Sequence, residues 1–239
     1  MCVASSFSVM RKYLFVIELV LLVQSSAYAS NITEFLKLSH ILYSCVTLEY
    51  WKEVETLEKK EIFRLCEELY RSGYCEESFV VSNWVPQLAD RFEPNDLRLF
   101  RRWIEKYVDN WAKCDGFCNH TVGSFVERYP KSVQELKSWA GSENRWLKRA
   151  AAVSLIIPAK RGKFLSDIFE IADLLLLDSD DMVQKGYGWL LKEASRSHQK
   201  RVFDYVMRNK KVMPRTALRY AIELMPKELK SKAMQYQIC

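Results

Sequence analysis

The sequence predicts an all-α fold, a solenoid of stacked antiparallel helix pairs with a concave basic face. Three observations carry this expectation. Apolar residues recur at helical spacing from about Ser30 onward. Breaking residues divide them into segments of roughly ten to sixteen residues. No alternating strand pattern of useful length occurs.

The apolar stripes come in order along the chain. One runs through Ile62, Leu65, Cys66 and Leu69, and the next through Leu97, Phe100, Trp103, Ile104 and Tyr107. Later stripes hold Phe164, Ile168, Ile171 and Leu175, then Val202, Tyr205 and Val206. Each spacing keeps its residues on one helix face. Breaks are expected at Gly73, Pro94-Asn95, Asp115-Gly116, Tyr129-Pro130, Gly141-Ser142, Arg161-Gly162, Asp178 to Asp181, Pro214 and Pro226. Asn95, Ser142 and Asp180 are the expected N-caps. Only 7 Gly and 6 Pro occur in 239 residues, fewer than sheets and their turns need. Helices of this length with tight connections fit a HEAT-like α-solenoid, although the repeat itself is degenerate in sequence.

Composition narrows the class further. Hydrophobic residues make up 49% and charged residues 28%, the balance of a globular chain. The net charge is +6, and its distribution is uneven. Glu53 to Glu77 is rich in acids, whereas Lys192 to Arg219 is rich in bases. That asymmetry is compatible with a face for nucleic acid. The 7 cysteines are odd in number and form no Cys-x-x-Cys pair, which argues against a disulfide framework. Cys114, Cys118 and His120 lie close together, but their spacing fits no zinc pattern and lacks a fourth ligand, so no metal is expected. The 3 histidines, His40, His120 and His198, argue against a histidine-driven hydrolase. No cofactor-binding loop is visible.

Residues 1–30 read differently from the rest. Arg11-Lys12 precedes an apolar run from Tyr13 to Val23, interrupted by Glu18, and small residues lead to a signal-peptidase-like end at Ala29. This segment is either a signal-like leader or an atypical start, and 31–239 is expected to form a single helical-repeat domain.

By residue type alone, Trp111 and Trp189 read as core aromatics, Asp115 as a turn acid or N-cap, and Arg149 as an ion-pair partner. Four stretches read more specifically when taken in order. They are Tyr107-Val-Asp-Asn-Trp-Ala-Lys-Cys-Asp115, Asn144-Arg-Trp-Leu-Lys-Arg-Ala-Ala-Ala152, Val183-Gln-Lys-Gly-Tyr-Gly-Trp-Leu-Leu-Lys-Glu193 and Pro214-Arg-Thr-Ala-Leu-Arg-Tyr-Ala-Ile-Glu223. Together they resemble the AlkD-like family of DNA alkylation repair glycosylases over about residues 55 to 235. The resemblance implies a HEAT-like fold that excises alkylated purines from duplex DNA. It implies catalytic roles for Trp111, Asp115 and Trp189. It places Arg149 at the DNA backbone, with Lys192 where relatives often carry Arg, and Arg215 and Arg219 as further phosphate contacts. Relatives begin with a Gly-x-x-Thr-Pro-like element, whereas Val46 to Trp51 here follows the leader. N-terminal DNA contacts are therefore not carried over.

The implied chemistry suits these residue types. An N3- or N7-alkylated purine is cationic and leaves as a neutral base, so it needs no general acid. Positive charge grows instead on the deoxyribose, where a carboxylate stabilises it and orients water. Indole faces attract the cationic nucleotide by about 0.5–2 kcal/mol. The resemblance further implies that the base is not flipped into a pocket. The expected partner is double-stranded DNA containing alkylated bases, engaged by a monomer without cofactor. The expected location is cytoplasmic and nucleoid-associated, or secreted if the leader functions as a signal. Two other readings stay open. One is a non-catalytic HEAT-like protein binding damaged or branched DNA, and the other is a protein-interaction solenoid.

Overall fold

A computed structural model describes residues 50–235 of the chain. The chain divides into two compact units, residues 1–62 and 63–239, and the second carries every residue of the expected site. The leader expected at residues 1–30 lies outside the described residues. All regular structure among the described residues is helical, as the periodicity predicts. No helix among them is long and apolar enough to cross a membrane.

The helices are α1 (Lys59–Arg71), α2 (Cys75–Trp84), α3 (Asp96–Tyr107) and α4 (Trp111–Phe117). A π-turn (Cys118–Val122) then leads into α5 (Gly123–Arg128). Next come α6 (Val133–Ala140), α7 (Arg145–Val153), α8 (Ile156–Lys160), α9 (Leu165–Leu174), α10 (Asp181–Asn209), α11 (Arg215–Ala221) and α12 (Lys227–Met234).

A regular interval underlies this order. Tyr74, Asn110, Asn144, Asp180 and Pro214 stand before the first turns of α2, α4, α7, α10 and α11, spaced 36, 34, 36 and 34 residues apart. Polar links between neighbouring pairs recur at the same separation. Arg102 reaches back 35 residues to Glu67, Arg149 34 residues to Asp115, and Arg145 forward 35 to Asp180. This is the repeat that residue types conceal. It stacks the second helix of each pair on the next: α2 packs on α4, α4 on α7, α7 on α10, and α10 on α11. The result is a solenoid-like row of second helices, built in chain order.

Side-chain caps fix three of the five starts in this row. Asn110 accepts a hydrogen bond from the Lys113 N–H, Asn144 from Trp146 and Leu147, and Asp180 from Met182 and Val183. Asp180 is the expected cap. Ser142 is not: α7 begins two residues later, and Ser142 Oγ accepts from the Asn144 N–H instead. Asn95 holds the cap position of α3 without a side-chain bond, and Asp96 accepts from the Glu93 N–H.

The break expected at Asp115-Gly116 does not occur. Both residues lie inside α4, which continues into the π-turn. A Cβ on Gly116 would stand 3.4 Å from Ser82 Oγ, so the glycine keeps α4 close against α2 rather than ending it. Helix lengths also depart from expectation. α10 spans 29 residues but bends at His198, where φ is −134° and ψ is 43°. Its first half closes one pair and its second half opens the next. A true break separates α7 from α8. The chain turns at residues 154–155, and Pro158, within α8, has no N–H for the Ser154 carbonyl four residues back.

The core forms around Phe100, fully buried at the centre of the second stripe. Its ring meets Phe63, Phe92, Trp103, Phe117 and Phe125 at centroid distances of 5.3–6.1 Å. Trp84, Trp103 and Trp139 are buried, as a packing role requires.

The tightest crossing in the row lies between α10 and α11. A Cβ on Gly188 would fall 2.7 Å from Tyr220 Cβ and 2.9 Å from the Ala217 carbonyl oxygen. Gly188→Ala is expected to push these helices apart and lower the unfolding free energy by about 1–3 kcal/mol. Thermal or urea denaturation checks this, and an unchanged midpoint would contradict the packing.

Candidate active site on the row of second helices

The site starts at the first turn of α4. Asn110 caps that turn and places Trp111 at its first helical position. Trp111 is 58% exposed, unusual for so large an apolar side chain in a row whose other large residues are mostly buried. Four residues on, Asp115 sits one turn along the same face and is only 9% exposed.

Arg149 of α7 meets Asp115 with a two-pronged contact. Its Nε donates to Oδ1 at 2.8 Å and its Nη2 to Oδ2 at 2.7 Å. This is the fork geometry in which guanidinium and carboxylate bind most strongly. The third arm, Nη1, donates to the Met182 carbonyl in the first turn of α10. Arg149 is thus buried, at 5% exposure, with all three arms engaged. Room for it comes from Gly186. A Cβ there would stand 3.3 Å from Arg149 Cγ and 3.6 Å from Nη1. One guanidinium therefore ties together three successive second helices.

Burial pushes the Asp115 carboxyl above its ordinary pKa, while the hydrogen bonds and charge of Arg149 pull it back. Burial also works against the charge on Arg149, but the bonds to Asp115 outweigh it and hold the guanidinium more firmly protonated than usual. The pair is an ionised carboxylate kept in a poorly solvated place by a single partner.

Trp189 lies on α10, one turn past Gly186. It is half-buried, and its indole Nε1–H donates to Glu193 Oε1 at 3.2 Å. Lys192, on the same helix, is held by Glu223 at 3.0 Å. Arg215 opens α11 and is half-buried, and Arg219 is exposed one turn later. The fold thus brings Asp115 and Arg149 into contact and places Trp189 on the helix that Arg149 also grips. Arg149 itself points inward to the carboxylate, not outward as expected for a backbone contact. Cys114 and Cys118 are buried, whereas His120 is exposed. Burial drives the Cys114 thiol well above its usual pKa. No cluster of three metal-ligating side chains occurs among the described residues.

Sequence reasoning gave no role to two residues here, Glu193 and Gly186. Both had a readable signal. Glu193 follows Trp189 at the i+4 interval, and Gly186 and Gly188 place two glycines inside a helix, where only a close approach justifies them.

A model of the family described as DNA alkylation repair enzyme matches residues 23–225. The chain belongs to this family. The match begins inside the segment read as a leader. A solved structure described as a predicted DNA alkylation repair enzyme from Enterococcus faecalis is similar to this chain, with a TM-score of 0.70. That likeness covers 77% of this chain and 85% of the other at 19% identity, so it speaks to the fold alone. No curated protein matches. Membership makes the chain a DNA repair protein and DNA its substrate.

The ion pair yields a prediction. Arg149→Met leaves a carboxylate buried without its partner, and is expected to lower the unfolding free energy by about 3–5 kcal/mol at neutral pH. Without Arg149 the folded-state pKa of Asp115 rises further above its unfolded value. The deficit should therefore shrink as pH falls and the carboxyl becomes protonated. Urea unfolding at several pH values checks both points, and a deficit independent of pH would contradict them.

Proposed function

We propose that this protein is a DNA glycosylase that hydrolyses the N-glycosidic bond of cationic N3- and N7-alkylpurines in duplex DNA, without flipping the base into a pocket. The observation that supports it most is the buried, two-pronged Asp115–Arg149 pair one turn from the exposed face of Trp111.

The reaction asks little of an acid. As the C1′–N bond breaks, its electron pair returns to the charged purine, which leaves neutral. The sugar becomes oxocarbenium-like, and a water adds its oxygen to C1′ and loses a proton. Asp115 stabilises the sugar cation and orients that water. Arg149 occupies one lone-pair direction on each carboxylate oxygen, and a carboxylate offers about four in all. Held in place, the carboxylate needs no rearrangement as charge develops. Trp111 and Trp189 supply indole faces to the cationic nucleotide. Arg149 acts as the positioning residue for Asp115. Lys192, Arg215 and Arg219 take the phosphates, contacts that position the duplex without reading sequence.

One observation favours a second reading. Both oxygens of Asp115 are already bonded, an arrangement that also suits a protein that binds alkylated DNA without cutting it. A base-release assay separates the two. Methylated duplex should lose 7-methylguanine or 3-methyladenine to the wild type, and Asp115→Asn should slow release by about 10²-fold or more. Salt-sensitive binding with no release would favour the second reading, and full activity in Asp115→Asn would end the proposed mechanism.

Glu223 gives a separate prediction. It neutralises Lys192 in the free protein. Glu223→Gln should tighten duplex binding and steepen the dependence of log Kd on log salt by about one. Fluorescence anisotropy across a salt series measures it, and an unchanged slope would remove Lys192 from the phosphate contacts.

A further inference from the structure

Glu193 is a carboxylate with 3% exposure, spent in an unusual way. Its Oε1 accepts the Trp189 indole N–H at 3.2 Å. Its Oε2 accepts from Arg196 Nε at 2.6 Å and lies 3.9 Å from Lys160 Nζ, at the end of α8. Both oxygens are thus committed, and the carboxylate is anchored to two cations on two helices. Burying a carboxylate is costly unless such partners hold it. A half-buried indole N–H, by contrast, finds water without help. The arrangement does more for Trp189 than Trp189 does for it.

Two consequences follow from elementary chemistry. The indole N–H lies in the ring plane, so a fixed acceptor at that edge limits rotation of the ring and leaves its faces unblocked. A charged acceptor also draws the N–H proton and pushes electron density into the ring. Hydrogen bonds to ionised groups are the strong ones, and bonds in series polarise one another. A ring enriched in this way attracts a cation more strongly over its face.

We infer that Glu193 is a specificity-determining positioning residue, which acts through Trp189 to favour a cationic nucleotide over a neutral one. This rests on the glycosylase reading for its substrate class. It adds a residue, and a cause, for the discrimination between alkylated and normal nucleotides. Glu193 itself touches neither base nor sugar.

The test uses the full chain and two duplexes that differ at one nucleotide. One carries a cationic pyrrolidine in place of the deoxyribose ring, the other a neutral tetrahydrofuran. The ratio of their Kd values measures cation preference. Glu193→Ala should lower that ratio about fivefold, and Glu193→Gln, which keeps an acceptor but not the charge, should lower it less. In a Trp189→Phe background, which has no N–H, Glu193→Ala should change nothing further. A loss of fold alone would act in both backgrounds. The indole proton resonance that disappears in Trp189→Phe should also shift in Glu193→Ala. An unchanged ratio, an equal drop in both backgrounds, or an unmoved resonance would overturn the inference. The two claims fail separately. If the wild type releases no methylated base but keeps a Glu193-dependent cation preference, the glycosylase reading falls and this role stands. If it releases base and its preference ignores Glu193, this role falls and the glycosylase reading stands.

Discussion

The hydrogen bonds from Arg149 to the two oxygens of Asp115 join residues 34 apart, one repeat of the solenoid, and the third arm of Arg149 reaches the next repeat at Met182. Much else around the site answers to this contact. Gly186 is small because Arg149 passes over it. Asn110 and Asn144 fix the starts of α4 and α7, and so the register at which carboxylate and guanidinium meet. Such a pair is weak evidence of stabilisation, since apolar residues of similar volume do as well or better in many buried settings. A buried carboxylate held in a single orientation is what a site needs when positive charge must be stabilised without solvent rearranging.

The solenoid turns a linear interval into a site. Residues 34 to 36 apart fall at matching places on adjacent second helices. Trp111 and Asp115 on α4, Arg149 on α7, and Trp189 and Lys192 on α10 come from three successive repeats, with Asp115 and Arg149 one interval apart. No single repeat holds the whole of the proposed site. The same geometry explains the electrostatics. Cations along the row are matched by acids from neighbouring repeats: Arg145 with Asp180, Lys148 with Asp178 and Lys192 with Glu223. Under the proposed function, a DNA backbone bound along this row would exchange partners with those acids.

The all-α fold was legible because apolar spacing and scarce Gly and Pro act locally. The four-residue spacing of Trp111 and Asp115 was legible within a family motif, but that both lie on one helix was not, because the sequence predicts a break at Asp115-Gly116. What escaped depended on distant residues. Asp115-Gly116 has the composition of a turn, and in isolation it favours one. Arg149 and the packing of Gly116 against Ser82 keep it helical, and neither partner is near in sequence. The inward aim of Arg149 was hidden for the same reason. Ser142 and Asn144 are both good caps, and only the start of α7 separates them. The repeat escaped because it resides in backbone position. Tyr74, Asn110, Asn144, Asp180 and Pro214 occupy equivalent places with no residue type in common throughout.

The central claim is that an ionised Asp115, held by Arg149, carries the chemistry. The pH profile of single-turnover base release tests it most directly. The ionised form is active, so release should fall on the acid side, at a pH above the ordinary range for an aspartate because burial raises the carboxyl. Replacing Arg149 with Met removes the opposing charge, so the acid limb should move to still higher pH. The limb should be absent from the residual activity of Asp115→Asn. An acid limb that stays in place without Arg149, or survives in Asp115→Asn, would contradict the account.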